Sequence, residues 1–167
     1  DTMDELTRIT GTSTEYISRM IAAMTYFGIP LDKAQKGMEV FATKLVKAQR
    51  EGGTAAEIFK KFDIDIFDKA TKSALSMEQV LDNTRKTAES YGKSAKTAAL
   101  SNELFSFRGR GMTEWLVSSN KEMEKAIEVA KSFGIVLTRD DLTALDKMND
   151  ELNSLKIAQT AVGVQVQ

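Results

Sequence analysis

Tyr26-Phe27-Gly28-Ile29-Pro30-Leu31-Asp32 reads as a corner between two helices, and its reading decides the fold. Before it, Ile17, Met20, Ile21, Met24 and Phe27 recur at helical spacing. After it, Ala34, Met38, Phe41, Leu45 and Ala48 do the same. Each set is an apolar stripe that must be buried on something. Glycine reaches the left-handed conformation that closes a last helical turn, so Gly28 ends the first helix and lets Ile29 fold back onto Met24. Asp32, after Pro30-Leu31, is the expected cap of the second helix. Ser132-Phe133-Gly134-Ile135-Val136-Leu137-Thr138 repeats the form, with Ile135 returning onto Ala130 or Val129. Lys61-Phe62-Asp63-Ile64-Asp65 is a third version with Asp63 in the glycine position, which tolerates the left-handed conformation less well.

Three further stripes extend the pattern: Met77, Val80, Leu81, Thr84, Ala88 and Tyr91; Met123, Ala126, Ile127, Ala130 and Phe133; and Leu142, Leu145, Met148, Leu152 and Leu155. Capping-box spacing precedes several helices, at Thr12 with Glu15, Thr54 with Glu57, Ser76 with Gln79 and Ser119 with Glu122. Thr138 with Asp141 suits the last one. The pattern predicts an all-α, multi-helix bundle of short to medium helices. They lie near 2–9, 13–27, 32–51, 54–62, 65–73, 76–91, 93–106, 111–118, 119–133 and 138–160. Gly52-Gly53 and Arg108-Gly109-Arg110-Gly111 are the loosest joints. Residues 1–137 form a helical module. Residues 138–167 form a C-terminal helix that packs on the module or extends away, since its leucines step as a short coiled-coil seam does. The first residue is not Met and the last five are Gly-Val-Gln-Val-Gln, so the chain reads as a piece of a longer one.

Composition removes whole classes of chemistry. There is no Cys and no His among 167 residues. Thiol nucleophiles, disulfides, zinc fingers and imidazole-based triads are therefore excluded. The net charge of −1 comes from 23 basic and 24 acidic residues spread evenly, so no basic arm suits nucleic acid. The longest internal run without charge, Met20–Leu31, is too short to span a membrane. No signal peptide is visible.

No catalytic, cofactor-binding or metal-binding residue is assigned. Asp63-Ile-Asp65-Ile-Phe-Asp68 resembles the start of a calcium loop but has Phe67 and Asp68 where an oxygen ligand and a glycine belong. Arg108-Gly-Arg110-Gly suits an anion but lacks the Lys-Ser/Thr pair of a phosphate loop. Glu103 and Glu114 flank that loop and are the pair an acid–base enzyme would use. Glu122, Glu124 and Glu128 alternate with Lys121, Lys125 and Lys131, as a solvated helix face does. Trp115 reads as an anchor for the short helix after the glycine joint. The eight Met residues read as core filling or, alternatively, as an adaptable binding groove.

At Glu103-Leu104-Phe105-Ser106-Phe107-Arg108-Gly109-Arg110-Gly111-Met112-Thr113-Glu114-Trp115-Leu116 the chain resembles the tail tape-measure proteins of phages and prophages. Those carry segments of the form Ala-x-x-Leu-Phe-Gly-Arg-x-Gly-x-x-Leu-x-x-Leu. Lys96-Thr97-Ala98-Ala99-Leu100 before it, Ala130 to Thr138 after it, and then Leu145-x-x-Met148-Asn149-Asp150-x-Leu152 match the flanking pattern. Leu6-x-x-Ile9-Thr10-Gly11-x-Ser13-x-Glu15-Tyr16-Ile17 resembles the family's opening helix. The corners at Phe27-Gly28-Ile29, Gly52-Gly53 and Phe62-Asp63-Ile64 follow in the family's order, so the likeness covers nearly the whole chain. Phe105-Ser106-Phe107-Arg108-Gly109-Arg110-Gly111 departs from the family's Phe-Gly-Arg-x-Gly, as does Asp63 from glycine.

The resemblance implies a mechanical role and no catalytic residue. A tape-measure protein lies in the lumen of the tail tube and sets its length during assembly in the host cytoplasm. As one helix this chain would span on the order of 250 Å; its glycine joints favour folding into a compact module within a longer ruler. The implied partners are other copies of itself, the tail tube and the baseplate or tail-tip proteins. No small-molecule substrate, cofactor, specific nucleic acid or membrane segment is implied. A helical adaptor or scaffold unrelated to phage, with a Met-lined surface, is the alternative. An enzyme built on the carboxylates around the Arg-Gly loop is a third reading.

Overall fold

The computed structural model describes residues 10–132. Among them are seven α-helices and no strand or sheet, so the protein is all-α. The helices are α1 (Thr14–Tyr26), α2 (Leu31–Glu51), α3 (Gly53–Lys61), α4 (Met77–Tyr91), α5 (Ala95–Phe105), α6 (Arg110–Val117) and α7 (Asn120–Ser132). The expected helices at 2–9 and 138–160, the corner at 132–138 and the boundary at 137/138 lie outside the described residues.

The corner that decides the fold closes as its sequence requires. Gly28 has φ 93°. Its N–H donates to the Thr25 carbonyl at 3.0 Å, and the Ile29 N–H donates to Met24 at 3.1 Å. These are the two bonds of a Schellman motif, and they bring the buried Ile29 back against the core. Asp63, at φ 57°, closes α3 with the same pair: its own N–H to Lys60 and the Ile64 N–H to Phe59, both 2.9 Å. An aspartate thus adopts the conformation that glycine takes at Gly28.

Caps divide into those that match the sequence reading and those displaced from it. Ser76 with Gln79, and Ser119 with Glu122, form both bonds of a capping box. At α1 the cap is Ser13, not Thr12: Ser13 Oγ accepts the Tyr16 N–H at 3.1 Å. At α2 the N-cap is Pro30, which has no N–H to satisfy and a φ already suited to the helix; Asp32 lies inside the first turn. At α3 it is Gly52, and Thr54 makes no cap. Gly52 and Gly53 both have positive φ, which turns the chain sharply enough for α3 to lie back on α2.

The predicted helix at 65–73 is absent. In its place is a tight hairpin-like turn with one antiparallel bridge, Phe67 to Ala74. Asp68 causes it. Its Oδ1 accepts the N–H groups of Ala70 and Thr71, both at 2.9 Å, and its carbonyl accepts the Lys72 N–H at 2.8 Å, which makes a single turn that Lys72, at φ 65°, then ends. The Leu75 N–H then donates across to Ile66.

The long helix α2 is the centre of the bundle, with α1, α3 and α5 packed against it. α6 closes over α1, α4 and α5, and α7 lies on α1. A run of aromatic rings crosses the middle and ties α3, α2, α5 and α6 together. Phe59 meets Phe41 edge-on at 6.0 Å, Phe41 stacks on Phe105 at 4.9 Å, and Phe105 meets Trp115 edge-on at 5.8 Å. All four side chains are fully buried.

Candidate functional site

The Arg-Gly loop is packed on one side and open on the other. Ser101 Oγ donates to the Phe107 carbonyl and fixes the chain as it leaves α5. Gly111 then seats against the Phe27–Ile29 corner. Arg108 and Arg110 point outward and are exposed. Arg110 Nε pairs with Glu114 one turn on, at 3.0 Å. Glu103 belongs to a different group: its carboxylate takes Lys61 Nζ at 3.1 Å, and its backbone carbonyl takes Lys44 Nζ. The two carboxylates that flank the loop are therefore each bound to a separate cation. Glu122, Glu124 and Glu128 lie on the exposed face of α7, with Glu122 used as a cap. No group of three acidic side chains among the described residues is placed to hold a metal ion.

The Asp63–Asp68 stretch is likewise accounted for by structure. Asp63 ends α3, Asp65 pairs with Lys69 at 3.5 Å, and Asp68 forms the turn. The Thr71 N–H, followed by that of Ala70, holds the Asp68 carboxyl below its ordinary value. The turn is held from two sides by amides. Gln49 Nε2 in α2 donates to Ile66 at 2.9 Å and to Leu75 at 2.8 Å, and Asn83 Nδ2 in α4 donates to Asp65 at 3.2 Å. Beside the turn is an open hollow of about 290 Å³, lined by Asp65, Phe67, Asp68, Leu75, Gln79 and Asp82 among others. Phe67, on its rim, is the one large apolar side chain among the described residues that is exposed, at 40%. The sequence pattern places a short helix over this stretch and does not show the turn, because Ile64, Ile66 and Phe67 carry no period long enough to separate the two. The available signal was Asp68, followed two and three residues later by backbone N–H groups it could take.

A second polar cluster, also missed, pins α4 to the corner between α6 and α7. Arg85 Nη2 donates to the Ser118 carbonyl at 2.9 Å and to Ser118 Oγ at 3.3 Å. Burial lowers the guanidinium from its ordinary value, with Tyr16, Asp82 and Glu89 acting against that shift. Tyr16 faces the same cluster, and burial, followed by Glu78, raises its hydroxyl well above its ordinary value. The single feature marking Arg85 in the sequence is its place beside the buried Thr84 position of the third stripe.

Trp115 is the anchor that its position suggested, fully buried against Phe105. The six methionines in the described range, Met20, Met24, Met38, Met77, Met112 and Met123, all lie in the core, so none of them lines a surface groove. No helix of the described residues is long and apolar enough to cross a membrane. No protein-family model, curated protein or solved structure matches the chain.

Proposed function

We propose that this chain is a helical module of a bacteriophage tail tape-measure protein, a structural part of a virion that performs no bond-making chemistry. The observation that carries the reading is the order of its corners. Phe27-Gly28-Ile29, Gly52-Gly53, Phe62-Asp63-Ile64 and Phe105 to Gly111 follow the order seen in that family, and each is a helix end in the fold. The carboxylates an enzyme would need are engaged one by one with lysine, arginine or backbone donors, which supports a mechanical role. In this role the module sits in the tail lumen as part of a longer ruler. It meets other copies of itself, the tube and the tail-tip proteins.

The test is genetic. In-frame removal of helical segments from the parent protein shortens the tails in proportion to the length removed, measured by electron microscopy. Tails of normal length after such deletions count against the proposal.

A further inference from the structure

We propose that the turn at 65–75 and the basic outer stripe of α2 are the two halves of a contact between copies of this chain. This deepens the reading above and rests on it only for the choice of a second copy as the occupant.

The first half is a preformed knob. Three amide hydrogen bonds from Gln49 and Asn83, together with the Asp68 turn, fix a segment whose outward side chain is an exposed aromatic, Phe67. Ordering a loop in advance reduces what binding must later cost, and a rigid aromatic is the usual anchor of a protein contact. The hollow beside the knob is lined by Asp65, Asp68 and Asp82, with Lys69 as its one cation.

The second half is a groove of about 330 Å³ along α2, lined by Thr43, Val46, Lys47, Arg50 and Glu51. Lys47 and Arg50 form no ion pair within the described residues. The two linings are opposite in charge down to their minority members, with Lys69 in the acidic hollow and Glu51 in the basic groove. Val46 offers apolar surface to Phe67 while Lys47 and Arg50 reach the aspartates.

The two halves cannot close on each other within one molecule. At about 100° per residue, Val46, Arg50 and Lys47 stand about 60°, 100° and 160° around α2 from Gln49. Gln49 holds the turn, so the basic stripe lies on a different side of α2 from it. A contact between unlike faces is heterologous, so it joins copies into a ring or a filament and not into a two-fold dimer.

Sedimentation velocity on the full 167-residue chain tests the proposal. The average mass should rise with protein concentration and fall as salt is added. Phe67→Ser should weaken association about tenfold or more. Two charge-reversed chains give the sharper result. Lys47→Glu with Arg50→Glu destroys the groove and leaves the hollow; Asp65→Lys with Asp82→Lys does the reverse. Each should be monomeric alone. Mixed, they should associate again, because the intact hollow of one meets the intact groove of the other and the two reversed halves are themselves opposite in charge. All four charge positions are exposed, and circular dichroism checks that the helices persist. A wild-type chain that stays monomeric, association untouched by both reversals, or a mixture that remains monomeric overturns the proposal. These outcomes are independent of tail length, so either reading can fail without the other.

Discussion

Gly111 lies so close to the Phe27 carbonyl that a Cβ built on it would stand 2.8 Å from that oxygen and 3.1 Å from Ile29 Cγ1. The first turn of α6 is thus fitted against the corner that ends α1. The obstruction is backbone, which cannot rotate aside as a long side chain can. Gly111→Ala should cost about 1–3 kcal/mol through forced displacement of α6 or of the corner. Thermal unfolding of the variant measures it, and an unchanged Tm would mean that the two segments do not touch as described.

Gly37 makes the opposite prediction. It lies inside α2, where an added methyl would meet nothing nearer than 3.7 Å, the distance to Phe105 Cβ and to the Phe105 carbonyl. That is ordinary van der Waals contact. Gly37→Ala should therefore gain about 0.5–1 kcal/mol from helix propensity and the loss of unfolded-state freedom. A lower Tm would show that α2 and α5 are closer than the 3.7 Å separation allows.

Asp63 shows what a sequence discloses about a corner and what it withholds. Phe62-Asp63-Ile64 was legible as a helix end because Ile64 occupies the same place after the corner that Ile29 does after Gly28. The residue at the corner itself was the wrong type, and only its φ of 57° establishes that it takes the left-handed conformation. Stripes were legible for the same kind of reason: helical periodicity is local, so all five residues of the Ala34–Ala48 set are buried as read. The turn at 65–75 was not. It depends on Gln49, which is distant in sequence, and on the left-handed conformation of Lys72, which ends the turn that Asp68 begins. Arg85 and Ser118 meet only because tertiary packing brings α4 to the α6–α7 corner. The displaced caps at Ser13, Pro30 and Gly52 show a smaller limit: where residues one or two positions apart can both start a helix, spacing alone does not choose. Asp63→Gly should raise stability by up to about 1 kcal/mol by removing the left-handed penalty, whereas Asp63→Val should lower it; equal Tm values for the two variants would contradict the assigned backbone.

Asp68 should make part of the stability depend on pH. Its carboxyl is held below the ordinary aspartate range by the N–H groups of Thr71 and Ala70, and the unfolded chain lacks those bonds. A group with a depressed folded pKa binds its proton more weakly when folded. Its contribution is therefore complete above the unfolded value and is lost as pH falls through the lower folded value. Asp68→Asn keeps an oxygen to accept the two N–H groups but carries no titrating charge. The variant should show a shallower loss of stability in acid than the parent chain, measured by denaturant unfolding at a series of pH values below about 5. Parallel acid curves for the two would remove Asp68 from the account.

Arg85 offers the most direct test of the long-range packing. Its Nη2 donates to the Ser118 carbonyl at 2.9 Å, and Ser118 is buried at the corner between α6 and α7. Arg85→Met keeps much of the side-chain length and apolar stem while removing the donors. The Ser118 carbonyl then loses its partner from α4, which should cost about 1–3 kcal/mol. Ser118→Ala leaves that carbonyl in place but removes the hydroxyl that takes the longer 3.3 Å bond from Arg85 and itself donates to the Trp115 carbonyl at 2.6 Å. If the carbonyl bond carries the pin, the combined variant should be less stable than Ser118→Ala alone by nearly the full cost of Arg85→Met. If the hydroxyl bond carries it, Arg85→Met should cost little once Ser118 is Ala. A full cycle of four chains, followed by urea unfolding, separates the two. An Arg85→Met chain as stable as the parent would mean that α4 is held to the corner by its apolar face alone, through Val80, Leu81 and Ala88.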